Sequence, residues 1–260
     1  MVTVIFAAAG QGKRMKAGVN KVFLELCGRP VLLWTLLKFS QCAEIDRLVV
    51  AVAPDEVEAV SGLLCGAEGL KPYEVVAGGA ERQYSVANAL NAVPEETEIV
   101  LVHDAARPLV SLKTVEEVIA AARQYGAAIA AVPEKNTVKV VNEDKIVVRT
   151  PERSLIWEVQ TPQGFNCGVL KAAYRQAERD GFLGTDDASL VERLGKPVKV
   201  VQSEYENIKI TTPGDMTIAE AFLHASGLEE AKESVSSFLS GAAEKLLGKQ
   251  AGSGKRKTKA

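Results

Sequence analysis

Small and cationic side chains follow the first apolar run of the chain, in the stretch AAAGQGKRM at residues 7–15. Gly10 and Gly12 allow the backbone to turn tightly and to bring N–H groups close to a ligand, and Lys13 and Arg14 add positive charge. This combination suits a phosphate, so we expect an anionic ligand at the loop. A glycine-rich turn without any ligand is the alternative that this stretch alone leaves open.

The spacing of this loop differs from that of two familiar phosphate-binding loops. A Walker A loop has the pattern G-x-x-x-x-G-K-[ST], whereas Gly10 and Gly12 are too close together and no hydroxyl follows Lys13. A dinucleotide-binding fingerprint needs a third glycine at the start of its helix, where Met15 stands. The sequence therefore predicts a phosphate loop of another kind.

A second group of chemically useful side chains lies in VHDAARP, residues 102–108. Mg²⁺ prefers one or two carboxylates together with phosphate oxygens, so Asp104 is the candidate metal ligand, although a turn or cap role remains open. The planar fork of Arg107 matches a second phosphate. His103 invites the role of general base, but we favour a structural role, because the chain has only two histidines and the other, His224, lies on a terminal helix.

Apolar runs alternate with helical patterns along the chain, which predicts an α/β fold: a Rossmann-like, mostly parallel sheet with helices on both faces. Ligands of such folds collect at the carboxyl ends of the strands, so the loops 9–21, 78–82 and 103–108 should meet there. The predicted strands are Val2–Ala8, Leu48–Val52, Glu74–Ala77, Ile99–Val102, Ala127–Val132, Gln160–Phe165 and Val198–Gln202, and the predicted helices cover 30–41, 55–65, 82–92, 111–125, 168–180 and 213–225.

The alternation of strand and helix patterns stops after Pro133. A β-hairpin is predicted there from the apolar runs Thr137–Val141 and Lys145–Arg149, which a polar turn at 142–144 separates. We expect it to project from the sheet as an arm at about 137–159. A two-stranded ribbon is marginal alone in water, so pairing with the same ribbon of a second subunit would give a twofold homodimer.

Composition limits the function classes. The chain has 260 residues, and its net charge of -2 argues against a nucleic-acid partner, which would need a broad basic face. Residues 1–225 should form one domain, followed at 226–260 by an amphipathic segment, at 229–248, and a basic tail. We expect this segment to pack on protein rather than on a membrane. No run reaches the roughly 20 apolar residues of a membrane helix, no leader is evident, and the four scattered cysteines favour a reducing compartment, so we expect a cytoplasmic protein.

Seven motifs in order resemble the 2-C-methyl-D-erythritol 4-phosphate cytidylyltransferases of the non-mevalonate isoprenoid pathway. The resemblance covers roughly residues 2–225, and it implies that CTP and a sugar-alcohol phosphate react to give a CDP-alcohol and pyrophosphate. The motifs are AAAGQGKRM, NK at 20–21, AGGAERQYSV, VHDAARP, SLIWEVQTPQGF, TDDASLVE and ENIKITTPGD.

The same resemblance implies a role for each matching residue. The acceptor phosphate would attack the α-phosphorus directly, and cationic side chains and Mg²⁺ on Asp104 would stabilise the transition state. The implied catalytic residues are Arg14, Lys21 and Lys209; the implied CTP-binding residues are Ala8, Ala9, Gly10, Gly79, Ser85, Asp104 and Ala105; and the implied acceptor-binding residues are Arg107, Thr137, Arg153, Thr161, Thr185 and Glu206. Thr137 and Arg153 would reach the neighbour's site across the dimer.

Two other functions remain open at this point. A ribitol 5-phosphate cytidylyltransferase would share the fold and much of the loop chemistry, although AAAG and HDAARP favour methylerythritol. A non-catalytic nucleotide-binding regulator would keep the glycine loop but would not need Arg14, Lys21, Asp104, Arg153 and Lys209 together, and this chain has all five.

Overall fold

The computed structural model describes residues 1–10 and 20–225, with the backbone alone for Lys21. The predicted amphipathic segment and tail at 226–260 lie outside the described residues. The strands are β1 Val2–Ala7, β2 Glu25–Leu26, β3 Arg29–Pro30, β4 Arg47–Val52, β5 Tyr73–Ala77, β6 Ile99–Asp104, β7 Ala127–Pro133, β8 Val140–Val141, β9 Val147–Arg149, β10 Trp157–Asn166 and β11 Lys199–Gln202. The α-helices are α1 Val31–Ser40, α2 Val57–Cys65, α3 Arg82–Asn91, α4 Leu112–Tyr125, α5 Cys167–Arg179, α6 Asp187–Arg193 and α7 at 213–225.

Seven strands form the central sheet, in the order β11-β7-β10-β6-β1-β4-β5. Every pairing is parallel except those of β10, which runs antiparallel to β6 and β7. The mostly parallel sheet predicted from the sequence is thus confirmed. Ala7 pairs with Asp104 of β6 and with Ala51 of β4, so these three strands end at one edge. The loops that follow them therefore meet where the ligand was expected.

Helices cover both faces of this sheet, as the long apolar strands require. Side chains of α1, α2 and α4 pack with Val4 and Phe6 on one face. Side chains of α3, α5 and α6 pack with Ile5 on the other face. Successive residues of β1 thus point into two separate cores, which is why the strand reads as a continuous apolar run.

The region predicted to form the arm contains a short two-stranded ribbon. β8 pairs with β9 in a two-stranded sheet of its own, separate from the central sheet. Residues 157–159, which the sequence assigned to the arm, instead begin β10 and pair with residues 131–133 of β7. These residues continue the central sheet because the edge of β7 offers them backbone partners. The short helix α6 was not predicted, since seven residues give too little periodicity.

The start of α7 is capped by a side chain of its own first turn. Asp215 Oδ2 accepts hydrogen bonds from the N–H groups of Thr211 and Thr212, each at 2.7 Å. This satisfies donors that a helix start leaves unpaired. Within the described ranges, none of the helices is both long and apolar enough to span a bilayer.

Candidate active site

A cleft of about 890 Å³ opens at the carboxyl edge of the sheet. It lies where the loops after β1, β4, β5 and β6 meet, as expected for a parallel α/β sheet. Its lining residues come from four stretches of chain and two single positions: Ala7–Gly10, Ala53–Asp55, Gly78–Arg82 with Ser85, Asp104 with Ala106, and Val22 and Lys209. Six predicted CTP-binding residues and Lys209 are therefore brought together in one place.

Two glycines form a close-packed wall of this cleft. A Cβ added to Gly78 would lie 2.8 Å from Ala9 Cβ and 3.0 Å from the carbonyl oxygen of Val52, which is backbone. Gly79 donates its N–H to Ser85 Oγ at 3.0 Å, and Ser85 lies in the first turn of α3. The absence of side chains thus lets the loop after β5 approach the loop after β1 closely.

A single carboxylate, Asp104, stands among three cationic side chains at the end of β6. Its Oδ2 lies 2.7 Å from Lys209 Nζ and 3.7 Å from Arg107 Nε, and its Oδ1 accepts a hydrogen bond from Arg82 Nε at 3.2 Å. Burial by itself would raise the pKa of Asp104, but the charges of Arg82 and Lys209 outweigh burial and hold that pKa well below its ordinary value. Three cations around one carboxylate leave positive charge that attracts a polyanion.

Lys209 is placed by the backbone around it. Ile210 donates its N–H to the carbonyl of Ala106 at 2.9 Å, and Arg107 Nη1 donates to the carbonyl of Asn207 at 2.7 Å. Asn207 is fully buried and donates in turn to the carbonyl of Thr161 at 2.9 Å. The ENIKITT segment is therefore fastened to the end of β6, although residues 207–210 belong to no strand.

His103 is buried and both of its ring nitrogens are engaged. Thr161 Oγ1 accepts the N–H of Asp104 at 3.0 Å, so its hydroxyl hydrogen is available to His103 Nδ1, also at 3.0 Å. Nε2 then donates to the carbonyl of Arg107 at 3.0 Å. Burial lowers the pKa of His103 to about 3, which keeps the ring neutral near pH 7. His103 therefore supports the loop and does not act as a base.

Asn20 returns the chain to the cleft beside β1. Its side-chain amide donates to the carbonyl of Ala8 and to Glu56 Oε2, each at 3.0 Å. The 3₁₀ turn Lys21–Phe23 follows at once, so the backbone brings position 21 to the cleft. Arg14 lies outside the described residues, as does the side chain of Lys21.

Two residues predicted to bind ligand have polar groups that are engaged within the protein. Ala105 is fully buried; its N–H donates to the carbonyl of Ala7 at 3.2 Å and its carbonyl accepts from Thr35 at 2.8 Å, so Ala106 lines the cleft in its place. Thr161 is 5% exposed, with its hydroxyl taken by the contacts described above. A sequence motif does not show these contacts, because it does not indicate which way each residue of a tight turn faces.

Four predicted acceptor-binding residues are exposed and stand apart from the cleft lining: Thr137, Arg153, Thr185 and Glu206. Arg153 begins a 3₁₀ turn after the ribbon, and its Nη1 donates to the carbonyl of Lys135 at 3.1 Å. Thr185 lies in the loop between α5 and α6. Within one subunit, and among the described residues, the structure does not gather these four at Asp104.

Sequence reasoning missed Arg82, the first residue of α3. It lines the cleft and contacts both Asp104 and the buried Asp187. The motif AGGAERQYSV contained it, yet an arginine at a helix start is usually solvated. Its position three residues after Gly79, the second glycine of that wall, was the signal that was available.

The family model for 2-C-methyl-D-erythritol 4-phosphate cytidylyltransferase matches residues 2–225. The chain belongs to this family. Among curated 2-C-methyl-D-erythritol 4-phosphate cytidylyltransferases, that of Bacillus cereus is 50% identical over 224 residues, which are 86% of this chain and 98% of the relative. That of Caldanaerobacter subterraneus is 44% identical over 223 residues, which are 85% of this chain and 98% of the relative.

Solved structures of family members share the fold. The 4-diphosphocytidyl-2C-methyl-D-erythritol synthase of Anaerococcus prevotii has a TM-score of 0.77 at 34% identity, covering 86% of this chain and 98% of that one. The 2-C-methyl-D-erythritol 4-phosphate cytidylyltransferase of Thermus thermophilus has a TM-score of 0.69 at 38% identity, covering 85% and 97%. Membership of the cytidylyltransferase family confirms the enzyme class, nucleotidyltransferase, and the isoprenoid pathway that the motifs predicted.

Proposed function

We propose that this chain transfers the cytidylyl group of CTP to the phosphate of 2-C-methyl-D-erythritol 4-phosphate, releasing pyrophosphate. The observation that carries the proposal is the placement of Asp104, Arg82, Arg107 and Lys209 at one end of a glycine-walled cleft, in a chain of this family. We place the reaction in the cytoplasm, because the four cysteines are free thiols and two are exposed.

The chemistry asks for charge neutralisation rather than for a base. A phosphate monoester is already ionised near pH 7, so its oxygen attacks the α-phosphorus as the bond from that phosphorus to the β-bridging oxygen breaks. The buried, neutral His103 agrees with a reaction that needs no proton acceptor. The main obstacle is repulsion between two anions, which fixed positive charge removes.

Lys209 and Arg82 supply such charge within the described cleft. Both line it, and the side chain of Lys209 is 36% exposed, so that its ammonium can meet a phosphate as well as Asp104. We assign Arg14 and Lys21 to the α-phosphate and the leaving pyrophosphate, as the family motif implies. Donors held in place before the reaction stabilise the transition state without reorganisation.

The nucleoside end of CTP is assigned to the part of the cleft lined by small residues. Ala8, Ala9 and Gly10 line this part without bulky side chains, and the loop of Gly79 is fastened to Ser85. Small residues leave room for backbone groups to read the edge of a pyrimidine. A larger purine would meet the wall that these residues form.

The donor set at Asp104 fits a magnesium ion that arrives with CTP. Mg²⁺ commonly takes one or two carboxylates and completes its shell with phosphate oxygens and water. Asp104 faces the cleft, and among the described residues its Oδ1 accepts a hydrogen bond from Arg82 at 3.2 Å. Asp104 would hold the ion, which would supply additional positive charge for the triphosphate.

We assign the acceptor to residues from two subunits. Arg107 lies beside Asp104, whereas Thr137 and Arg153 are exposed near the ribbon. Val147 and Val148 of β9 are 54% and 64% exposed, and Ile146 before them is 63% exposed. Burying these side chains against the ribbon of a second copy would form a homodimer and carry Thr137 and Arg153 to the neighbour's cleft.

Thr185 and Glu206 complete the proposed acceptor site. Thr185 precedes α6, whose first residue contacts Arg82, and Glu206 precedes the segment that holds Lys209. Both are exposed and so remain available to a ligand. Thr161 acts here through the backbone of Asp104.

Pyrophosphate release tests the proposal. Purified protein with CTP and Mg²⁺ is given 2-C-methyl-D-erythritol 4-phosphate, or ribitol 5-phosphate as the matched alternative acceptor. We expect the methylerythritol phosphate to have the higher kcat/KM. A preference for ribitol phosphate would reassign the acceptor, and release from neither would contradict the proposed reaction.

A further inference from the structure

Arg82 joins two carboxylates that come from different elements of the fold. Its Nε lies 3.2 Å from Asp104 Oδ1, and its Nη2 lies 2.8 Å from Asp187 Oδ2. Asp187, the first residue of α6, is 1% exposed. Tyr174 of α5 donates its phenolic hydrogen to the other oxygen, Asp187 Oδ1. These four side chains form a continuous relay from the interior to the cleft, in the order Tyr174, Asp187, Arg82, Asp104.

Asp187 is almost completely buried, so its charge must be balanced by groups within the protein. A buried carboxylate is tolerated only when its charge is balanced. Arg82 of α3 balances it through an ion pair to Oδ2, and Tyr174 of α5 donates a hydrogen bond to Oδ1. Burial in the first place, and then the charge of Asp187, raise the pKa of Tyr174 well above its ordinary value, so the phenol remains a donor. The position of the Asp187 carboxylate is thus fixed from both sides.

We propose that Tyr174 and Asp187 are positioning residues of the cleft, which act through Arg82 on the orientation of Asp104. A guanidinium is planar, so fixing Nη2 on Asp187 also sets the direction in which Nε points. Asp104 holds Lys209 through its other oxygen, Oδ2, and the relay thereby orients two cations and the candidate magnesium ligand. Without the charge of Asp187, Arg82 would lose the contact that sets its direction, so that neither Arg82 nor Asp104 would be held in the orientation that the triphosphate needs.

The same end of α3 also fastens the loop before α6. Gln83 Nε2 donates to the carbonyl of Phe182 at 3.0 Å, and Gln83 Oε1 accepts the N–H of Gly184 at 2.8 Å. Arg82 and Gln83 therefore tie residues 182–187 to the cleft at three points. Thr185, the proposed acceptor residue, lies within this loop, so the relay connects the nucleotide side of the site to the acceptor side.

Two substitutions test the relay. The inference rests on the proposed function, because it assumes that the cleft binds CTP. Asp187→Asn keeps the size but removes the charge, and Tyr174→Phe removes one hydroxyl and leaves the ion pair. Ser189→Ala is the matched control: it deletes a hydrogen bond within α6, to the carbonyl of Asp186, away from Arg82. Each variant is measured for calorimetric binding of CTP with Mg²⁺, for kcat and KM with both substrates, and for thermal unfolding.

We expect Asp187→Asn to weaken CTP binding and to lower kcat/KM by roughly tenfold to a hundredfold, the usual effect of losing an outer-shell partner. Tyr174→Phe should have a smaller effect, about threefold, because a single hydrogen bond is lost. Ser189→Ala should stay within about twofold of the parent. If Asp187→Asn fails to fold, Tyr174→Phe decides, and parental CTP affinity and turnover in a folded Tyr174→Phe protein would overturn the proposal.

A double substitution shows whether Asp187 acts by positioning Arg82 or only by stabilising α6. In an Arg82→Gln background, Asp187→Asn should cost almost nothing further, because the side chain through which it acts is gone. An equal cost in both backgrounds would overturn the proposal. Measurements on the parent protein distinguish failure of the proposed function from failure of this inference. If the parent binds CTP but releases no pyrophosphate with methylerythritol phosphate, the proposed acceptor is wrong. CTP binding by the variants then still tests the role of the relay.

Discussion

The ammonium group of Lys209 lies 2.7 Å from Asp104 Oδ2, although the two residues come from distant parts of the chain. Backbone hydrogen bonds between the two segments hold this pair, notably from Ile210 to the carbonyl of Ala106. Lys209 is thus held beside the only carboxylate in the cleft that contacts three cations among the described residues. In this position the ammonium group of Lys209 can contact the triphosphate of CTP when it binds.

We expect Lys209→Gln to lower kcat by roughly 10²–10³-fold with a smaller effect on the KM for CTP, since the charge matters most in the transition state. From the sequence we expect the same of Lys21→Ala. Lys113→Gln is the control, because this lysine of α4 is 76% exposed and pairs only weakly with Glu117 at 3.9 Å. Near-normal turnover of Lys209→Gln would remove it from the mechanism.

Asp104→Asn should separate metal binding from nucleotide binding. The Mg²⁺ concentration that gives half-maximal activity should rise by about tenfold or more, because the charge that attracts the ion is lost. CTP binding without Mg²⁺ should not weaken, since Arg82 and Lys209 lose their counter-charge. Asp55→Asn, at another part of the cleft, is the control. An unchanged Mg²⁺ titration would show that Asp104 serves only the protein's own structure.

His103 should make folding stability depend on pH. Its pKa is lowered to about 3 in the folded protein from an ordinary value of 6.5, so between these values the unfolded chain binds a proton that the folded chain does not. Stability is then full above pH 6.5 and falls as the pH is lowered. From pH 7 to pH 5 the loss should be about 2 kcal/mol in denaturant unfolding, before most carboxylates titrate.

A substitution checks that this loss belongs to His103. His103→Gln should be less stable at pH 7 but should show a flatter dependence between pH 7 and pH 5. The exposed His224 provides the control, because His224→Gln should keep the parental slope. The same slope in parent and His103→Gln would assign the dependence to other groups.

The sequence predicted the sheet, its helices and the cleft edge well, because long apolar strands and amphipathic helices carry strong local patterns. Asp104 could be expected at the cleft because its motif lies at a predicted strand end, whereas Lys209 could be expected there only because ENIKITTPGD resembles a motif of the family. Arg82 could not be placed, since its role depends on Asp187, a tertiary partner that no local pattern indicates. The sequence could not indicate that the backbone of Ala105 is engaged within the protein, because the direction in which a turn residue faces depends on backbone geometry. The antiparallel direction of β10 also leaves no periodicity of its own in the sequence.

The exposed apolar side chains of the ribbon lead to a prediction about shared active sites. Arg153→Ala and Lys21→Ala should each be nearly inactive alone. In a mixed dimer with a shared site, one site carries both defects and the other carries neither. Random exchange should therefore restore about a quarter of the parental activity, because half of the dimers are mixed and half of their sites are intact.

Mass spectrometry of the mixture provides the control for this experiment, because it shows whether mixed dimers have formed. Ile146→Asp should prevent recovery, since it places a charge on the exposed apolar ribbon. Mixed dimers without recovered activity would show that Arg153 serves its own subunit.

Direct attack of the acceptor phosphate on the α-phosphorus of CTP is the central claim, and labelled oxygen tests it most directly. Methylerythritol phosphate that carries heavy oxygen in its phosphate is converted with CTP and Mg²⁺, and the products are analysed by mass spectrometry. The account predicts that all of the label stays in the cytidylated product, including its new bridging position, and that the released pyrophosphate carries none. Labelled pyrophosphate, or free CMP with no cytidylated alcohol, would contradict it.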